Sequence, residues 1–441
     1  MSTELQTESA PASIHAHWWS GLTGKQWLVL LVAYFGWVFD VMDVYLMALV
    51  KTPCMKQLLG PGASDSEIAT YGGLSLSLTL IGWSLGGLIF GMVADRWGRS
   101  RTMALTILMY SVFTGLSGFA QTWWQLLALR FIAALGIGGE WGAGASMIAE
   151  VFPQRSRVVA AGVLQSAAAT GFIIAAFLWR AVKGYASDAD AWRYMFFIGS
   201  VPAFLALIVR TGIHEPQTWV KAKEKSSKDV GSLAAVFGDK ELRRRVLLGT
   251  ALATIGIFAY WGTTYWGAES LDEVLKGLNI SGDEFTSKKF WGLQVLHLGI
   301  LTGFLIYIPI TERIGRRWAF GIFHLASAIS LPAAFLLSST YGTWLLLFFL
   351  GGMFSSGIYS GYTIYFPELF PTRVRATGAG FCYNVGRIAS APSPFLAGYV
   401  MNLFTDRKRA MAGALIGSIY ILGLLVIPFL PETRGVRTDV D

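Results

Sequence analysis

Charge is scarce in this chain of 441 residues. Charged residues make up 14% of it, against about 25% in an average soluble domain, whereas hydrophobic residues make up 54% and the mean hydropathy is +0.52. Cysteine is scarcer still, because Cys54 and Cys382 are the only two, and they do not support a disulfide framework. The sequence also lacks a metal-spaced His/Cys cluster, a nucleophile elbow and a phosphate-binding loop. These absences argue against a soluble protein and against a membrane-embedded enzyme, and no cofactor is expected.

Long apolar runs are abundant instead. Each is close to the roughly 20 residues that an α-helix needs to cross a bilayer. We therefore predict an all-α membrane protein with twelve spans, numbered 1 to 12, at residues 27–50, 68–94, 101–121, 123–149, 157–181, 191–213, 246–268, 290–311, 317–339, 342–366, 374–400 and 410–430. A polar loop separates two six-helix halves. The predicted organisation is a tail at 1–25, a first half at 26–213, a linker at 214–245, a second half at 246–430 and a tail at 431–441.

The net charge of +8 orients the chain rather than marking a nucleic-acid partner. With the N-terminus inside the cell, 21 of the 35 Lys and Arg residues fall on the inner side of the membrane. This is the bias that the positive-inside rule describes. The N-terminal tail carries Glu4 and Glu8 before a long first run, which argues against a cleaved signal peptide. We expect a multi-pass protein of the cell (inner) membrane with both termini in the cytoplasm.

Two inner-side motifs occur once in each half. The pattern E-x-F-P-x-R-x-R spans residues 150–157 and again residues 368–375, and DRWGR at 95–99 returns as ERIGR at 312–316. Such a parallel repeat is typical of transporters whose two halves move around a central site. We interpret the motifs as gates. Their residues are Gly91, Asp95, Arg96, Gly98, Arg99, Glu150, Arg155, Arg157, Glu312, Arg313, Gly315, Arg316, Glu368, Arg373 and Arg375.

These segments resemble a known family. GMVADRWGRSR at 91–101 is similar to the signature loop of the major facilitator superfamily, RFIAALGIGGEWG at 130–142 to its second signature, and PETRG at 431–435 to its sugar-porter-like branch. GGEWGAG and the acidic residues of span 1 resemble the proton symporters of organic acids. The resemblance implies twelve helices and alternating access. The paired glutamines of true sugar porters are missing from span 7.

Four ionisable residues predict a proton-coupling site, because a charge inside the membrane is costly and usually functional. Asp40 and Asp43 lie three residues apart on one face of span 1, and Arg130 and Glu140 lie in span 4. Two neighbouring carboxylates are not easily both ionised there, unless a cation such as Arg130 compensates. Alternatively, Asp43 reaches the outer interface, Arg130 is a fixed counter-ion and Glu140 bonds to a neighbouring helix.

Arg387 in span 11 is the predicted anchor for an anionic substrate, because its guanidinium matches a carboxylate. Tyr383 and Asn384 share its helix face. We add three candidates, Tyr359, Tyr362 and His297. An internal salt bridge is the alternative for Arg387, and simple packing is the alternative for His297.

The predicted function is proton-coupled symport of a small organic anion such as a monocarboxylate, by a monomer in a lipid bilayer. Carriage of neutral sugar-like solutes, or drug/proton antiport, is the competing interpretation. For the gates, Asp95 should lie near the start of span 11 and Glu312 near the start of span 5, since a helix N-terminus attracts a carboxylate.

Overall fold

The computed structural model describes residues 17–202, 214–225, 230–390 and 408–435, together with the single residues 204, 208 and 212. Helices dominate these residues, and the described part contains no strand. Nine of its helices are long and apolar enough to cross a membrane. The prediction of an all-α membrane protein is confirmed.

Six helices form the first half and correspond to spans 1 to 6. They are α1 (Gly24–Leu59), α2 (Asp65–Trp97), α3 (Arg99–Ser117), α4 (Trp123–Val151), α5 (Gln154–Tyr185) and α6 (Asp188–Ile198). Most of the rest of predicted span 6 lies outside the described residues.

The linker and the second half follow. Two short linker helices are α7 (Gln217–Lys225) and α8 (Leu233–Gly238). The second half contains α9 (Lys240–Gly277), α10 (Gly282–Ile314), α11 (Arg316–Leu337), α12 (Tyr341–Glu368), α13 (Arg375–Ser390), α14 (Lys408–Ser418) and α15 (Gly423–Val426), with 3₁₀ turns at Thr372–Val374, Ile419–Leu422 and Ile427–Phe429. Predicted span 11 continues beyond α13 into residues 391–400, which lie outside the described part.

Local sequence explains several helix boundaries. Thr23 and Ser64 begin α1 and α2 with capping boxes, in which the cap side chain and the residue three positions later satisfy each other's backbone N–H groups. Gly98 and Gly315 separate α2 from α3 and α10 from α11, with φ angles of 121° and 91°. Only glycine adopts such angles readily, so both copies of the DRWGR-like motif turn at the same position.

Glycines also set the helix packing, and they do so in the same way in both halves. A β-carbon on Gly86 of α2 would collide with the backbone of Leu135 in α4, and one on Gly303 of α10 would collide with Met353 in α12. Small residues let helices approach closely in a membrane, where no hydrophobic force drives them together. The repeat seen in the sequence is therefore a repeat of packing, with α2 on α4 matching α10 on α12.

Candidate functional site

An ion pair ties α1 to α4 in the interior of the first half. Arg130 donates from Nη2 to Asp43 Oδ2 over 2.5 Å and from Nη1 to Asp43 Oδ1 over 3.1 Å. Thr114 of α3 donates its hydroxyl to Asp43 Oδ1 at 2.9 Å. All three side chains are buried. Asp43 is thus fully engaged and does not reach the outer interface, and Arg130 has the geometry of a counter-ion that holds span 1 to span 4.

Asp40 faces a different partner. The Glu140 carboxylate packs against Gly36, one turn before Asp40 on the same face of α1, and Asp40 and Glu140 are 0% and 2% exposed. Among the residues that the structure describes, none offers a hydrogen-bond donor to their four carboxylate oxygens. Ionised carboxylates can only accept, so neither can satisfy the other unless a proton lies between them. The structure therefore pairs Asp40 with Glu140, whereas the sequence had grouped it with Asp43.

Gly36 allows this approach. It lies one turn before Asp40 on α1, and a β-carbon there would collide with the Glu140 carboxylate. A pocket lined by Ala33, Trp37, Glu140, Trp141, Gly144 and Leu164 adjoins the same place.

Arg387 lies on α13 of the second half and is 4% exposed. Its guanidinium carbon is 3.7 Å from the centre of the Trp83 ring of α2 and 4.6 Å from that of Tyr383. Nη1 donates to Asn384 Oδ1 over 2.9 Å. Tyr383, Asn384 and Arg387 thus share one face, as their spacing predicted. Within the described residues Arg387 forms no ion pair, so the alternative of an internal salt bridge is not observed there.

Aromatic rings surround this face. Tyr383 stacks on Trp141 of α4, with ring centres 4.3 Å apart, and lies 6.2 Å from the ring of Tyr359. The Tyr359 hydroxyl is buried without a partner, whereas Tyr362 donates its hydroxyl to the Leu252 carbonyl at 3.0 Å. Of the two predicted tyrosines, Tyr359 is therefore the one whose hydroxyl is available to a ligand.

Three residues at this centre were missed by the sequence reasoning. Trp83 and Trp141 cover the Arg387 region, and Gln165 of α5 accepts hydrogen bonds from Trp141 Nε1 at 3.2 Å and from Thr363 Oγ1 of α12 at 2.6 Å. A lone glutamine in the alanine-rich run of span 5 was a usable signal. Nothing in the sequence marked the two tryptophans, because a tryptophan in a membrane protein can equally well lie at a binding site or at the lipid interface.

His297 of α10 lies in another part of the interface between the halves. Its ring stacks on Phe172 of α5 at 5.4 Å and meets the edge of Tyr45 of α1 at 5.6 Å. Nδ1 has no hydrogen-bond partner. These neighbours are those of a packing residue that closes the two halves together, and the structure does not place His297 against Arg387.

The repeated motifs contain the predicted contact of Asp95. Its carboxylate accepts hydrogen bonds from the Thr377 N–H at 2.8 Å, the Thr377 hydroxyl at 2.5 Å and the Ala376 N–H at 3.3 Å, all at the start of α13. Arg99 forms an ion pair with Asp95 at 2.8 Å. The expected position of Asp95 is confirmed. Gly91, one turn earlier on α2, lies against the Ala376 carbonyl.

The octapeptide motifs meet at the same gate. Arg99 binds Glu150 at 2.9 Å and the Thr372 carbonyl at 3.1 Å, and Arg375 reaches Glu150 at 3.4 Å. The first-half carboxylate Glu150 thus links arginines from both halves. Arg373 contributes its backbone carbonyl, which accepts from the Gly231 N–H of the linker at 3.0 Å.

The second copy of the gate differs. Arg316 forms a bidentate pair with Glu368, at 2.6 and 3.0 Å. Glu312, however, forms no hydrogen bond or ion pair with the start of α5 in the described ranges. The predicted symmetry of the two gates is therefore not observed. The two helix starts differ, because α5 begins at Gln154 directly after Pro153, whereas a 3₁₀ turn at Thr372–Val374 separates Pro371 from α13.

The remaining gate arginines bind backbone carbonyls or support the linker. Arg155 donates to the carbonyls of His17 and Ser20, Arg157 to that of Phe152, and Arg96 to that of Val230, while the Arg313 carbonyl accepts from Arg434.

Two glutamates outside the spans cap equivalent helices. Glu215 accepts from the first N–H groups of α3, and Glu432 accepts from the N–H groups of Arg316 and Arg317 at 3.0 and 3.1 Å. Burial alone would raise the pKa of Glu432. These backbone donors and that of Arg434 outweigh burial and bring the pKa below its ordinary value of 4.5. Each cap secures the turn that follows Gly98 or Gly315.

No group of three or more His, Cys, Asp or Glu side chains in the described part of the chain is arranged to hold a metal ion. The arrangement instead offers buried charges and aromatic rings between two helical halves.

A repeated pair of helical halves that are joined by ion pairs at one end and hold buried charges where they meet is typical of a transporter. The profile of the family described as sugar (and other) transporter matches residues 27–247 and 232–439. The chain therefore belongs to that family and is a transporter of the major facilitator superfamily. The predicted resemblance is confirmed.

Two relatives and one solved structure are similar to this chain over most of its length. The chain is 31% identical over 420 residues to a predicted metabolite transport protein of Haemophilus influenzae, covering 94% of this chain and 98% of that protein. It is 29% identical to the cis,cis-muconate transport protein of Acinetobacter baylyi, covering 82% and 86%. The proton:xylose symporter XylE of E. coli has the same fold, with a TM-score of 0.78, 19% identity and coverage of 94% and 98%.

Proposed function

We propose that this protein is a proton-coupled symporter that moves a small organic anion, such as a monocarboxylate, across the cell membrane by alternating access. Its termini are in the cytoplasm, and it works as a monomer. The observation that carries the proposal is Arg387, a buried cation between the halves that has no carboxylate partner among the described residues.

An unpaired charge in the interior costs several kcal/mol, less where water enters. An organic anion would supply the missing partner through a charge-assisted bidentate hydrogen bond. The Trp83 and Tyr383 rings lie against the Arg387 guanidinium, at 3.7 and 4.6 Å from its carbon. Tyr359 offers an unpartnered hydroxyl nearby.

The relatives support an organic acid as the substrate class, because one of them is named for cis,cis-muconate transport. Proton coupling is supported by carboxyl groups buried in the same bundle. Asp40, Asp43, Arg130 and Glu140 remain the proposed coupling group, and among the described residues Asp40 and Glu140 are the members that form no direct ion pair.

The test is binding and uptake of a panel of carboxylates, with neutral sugars included. Arg387→Ala should abolish carboxylate binding measured by calorimetry on folded, detergent-solubilised protein. Arg387→Lys should weaken it strongly, because lysine keeps the charge but loses the planar fork. Arg243→Ala is the matched control, since Arg243 is exposed at the start of α9.

Uptake into proteoliposomes gives the second readout. Wild-type protein should accumulate a carboxylate only when an inward proton gradient is imposed. Equal affinity of wild type and Arg387→Ala for the carboxylate would refute the site. Uptake of a neutral sugar in place of acids would favour the competing function.

A further inference from the structure

We infer that Asp40 and Glu140 share one proton in the empty carrier and that they take up a second proton when an organic anion binds Arg387. This inference rests on the proposed function and identifies its proton-binding site. It assigns the transported proton to a pair of carboxyl groups on two helices rather than to the neighbouring Asp43–Arg130 pair.

The geometry of the two carboxyl groups is the first step. Asp40 comes from α1 and Glu140 from α4, both are buried, and their oxygens have no donor. Gly36 lets the two helices bring the groups together, because any side chain there would displace Glu140. Two bare negative charges in such a place would be strongly unfavourable, and one shared proton gives each group a hydrogen bond.

The described groups around the pair offer it no hydrogen-bond donor. Asp43 acts on Asp40 as a like charge, but it is neutralised by Arg130 and bonded by Thr114. Tyr110 of α3 is buried nearby, and its hydroxyl has no hydrogen-bond partner.

The other neighbours come from α2, α5 and α13. Leu164 faces Glu140 from α5, and Trp83 of α2 lies beside Trp37, the neighbour of Gly36 on α1. From α13 comes Arg387, whose guanidinium stacks on Trp83 at 3.7 Å, so it is the cation that approaches this region from the second half. In the proposed scheme Arg387 balances the charge of the pair.

The net charge of Arg387 and the carboxyl pair then links the binding of the proton to the binding of the anion. With one shared proton the pair carries one negative charge, which balances Arg387. A carboxylate substrate at Arg387 takes over that role and leaves the pair with an excess negative charge. A proton from the outer solution removes the excess by forming an O–H bond to the ionised carboxyl group, and it leaves as a proton to the cytoplasm after the anion is released. One monocarboxylate thus crosses with one proton and no net charge.

Infrared difference spectroscopy tests the shared proton without any substrate. Empty wild-type carrier near neutral pH should show the carbonyl stretch of one buried protonated carboxyl group, shifted in D₂O. Asp40→Asn and Glu140→Gln should each remove this band, because the single remaining carboxylate is ionised opposite Arg387. The surface variant Glu284→Gln should keep it. Absence of the band in wild type, or its survival in Glu140→Gln, would overturn the inference.

A pH-indicator dye tests the second proton. Wild type in weakly buffered detergent should take up one proton for each monocarboxylate bound, and the double variant Asp40→Asn with Glu140→Gln should take up none. Proton uptake that persists in the double variant would show that the second proton binds to other residues. A wild type that shows the infrared band but binds no carboxylate would refute the proposed function and leave the shared proton standing.

Discussion

Replacing Asp95 with asparagine should loosen the closed cytoplasmic side, because this carboxylate of the first half binds the first turn of α13 in the second half. Three donors converge on it: the N–H and hydroxyl of Thr377 and the N–H of Ala376. Arg99 lies four residues after Asp95 in the same half, so the ion pair between them does not cross from one half to the other. It should persist when the halves separate, so it does not distinguish the closed state from the open one.

The magnitude follows from the bonds that cross between the halves. A hydrogen bond to a charged group contributes about 1.5–3 kcal/mol net, against about 1 kcal/mol for a neutral one. A carboxylate at a helix N-terminus adds up to about 1 kcal/mol. Asparagine keeps one acceptor oxygen and loses the charge, so we expect a loss of about 2–3 kcal/mol. Since 1.4 kcal/mol is a factor of ten, the open population should rise roughly 30- to 140-fold.

Pulsed electron paramagnetic resonance can measure this shift. Spin labels at Arg101 of the first half and Trp318 of the second half would report the separation of the cytoplasmic ends. Both side chains are exposed, Trp318 by 72%. The native Cys54 and Cys382 are buried and free, and they can be replaced to avoid background labelling. The Asp95→Asn variant should gain a population at longer distance.

Glu312→Gln is the matched control, because Glu312 occupies the equivalent position in the second half and makes no observed bond to the first. Its distance distribution should match that of the wild type. An unchanged distribution in Asp95→Asn, or an equal shift in Glu312→Gln, would show that Asp95 does not hold the gate.

Three further changes probe other parts of the molecule. Gly36→Ala should overpack the contact with Glu140, destabilise the folded protein by about 1–3 kcal/mol and so lower its melting temperature. Gly24→Ala is the control, because a β-carbon at Gly24 would meet open space and should leave the melting temperature unchanged. Asp43→Asn should destabilise the folded protein by about 3–5 kcal/mol in thermal unfolding, because it leaves Arg130 buried and unpaired; pairing it with Arg130→Gln should restore part of the loss. Because the pKa of Glu432 is lowered in the folded state, its stabilisation is present above its unfolded pKa and is lost as pH falls through the folded value. The difference in melting temperature between wild type and Glu432→Gln should therefore shrink from about pH 6 to about pH 3, and a constant difference would contradict the cap.

Local sequence patterns were sufficient for the features that depend on one helix or one repeat. The apolar runs predicted the helices, and the duplicated motifs predicted the position of Asp95. The spacing of Tyr383, Asn384 and Arg387 predicted their shared face, since a helix fixes which neighbours point the same way. The repeat also misled in one place, because it predicted the same contact for Glu312 that it predicted for Asp95.

The partners of the buried charges could not be obtained in this way. The spacing on α1 grouped Asp40 with Asp43, but neighbouring helices decide what each one meets. Arg130 reaches Asp43 with both guanidinium nitrogens, and the absence of a side chain at Gly36 brings Glu140 to Asp40. The depth and rotation of one helix against another follow from packing, which a single sequence does not display.

The two halves share a fold but not a charge pattern, and this difference has a consequence for the proposed cycle. At the cytoplasmic gate the first half supplies the carboxylates Asp95 and Glu150, and the second half supplies Arg375 and the start of α13. At the centre the first half again supplies acidic groups and the second half supplies Arg387. Opposite charges attract the halves at both places, so the empty carrier can close. An organic anion bound at Arg387 would compete with the central attraction, and only a proton on the first half would remove the resulting repulsion. Closure around the substrate would then require the proton, and this requirement would couple the proton to the substrate without a direct contact between them.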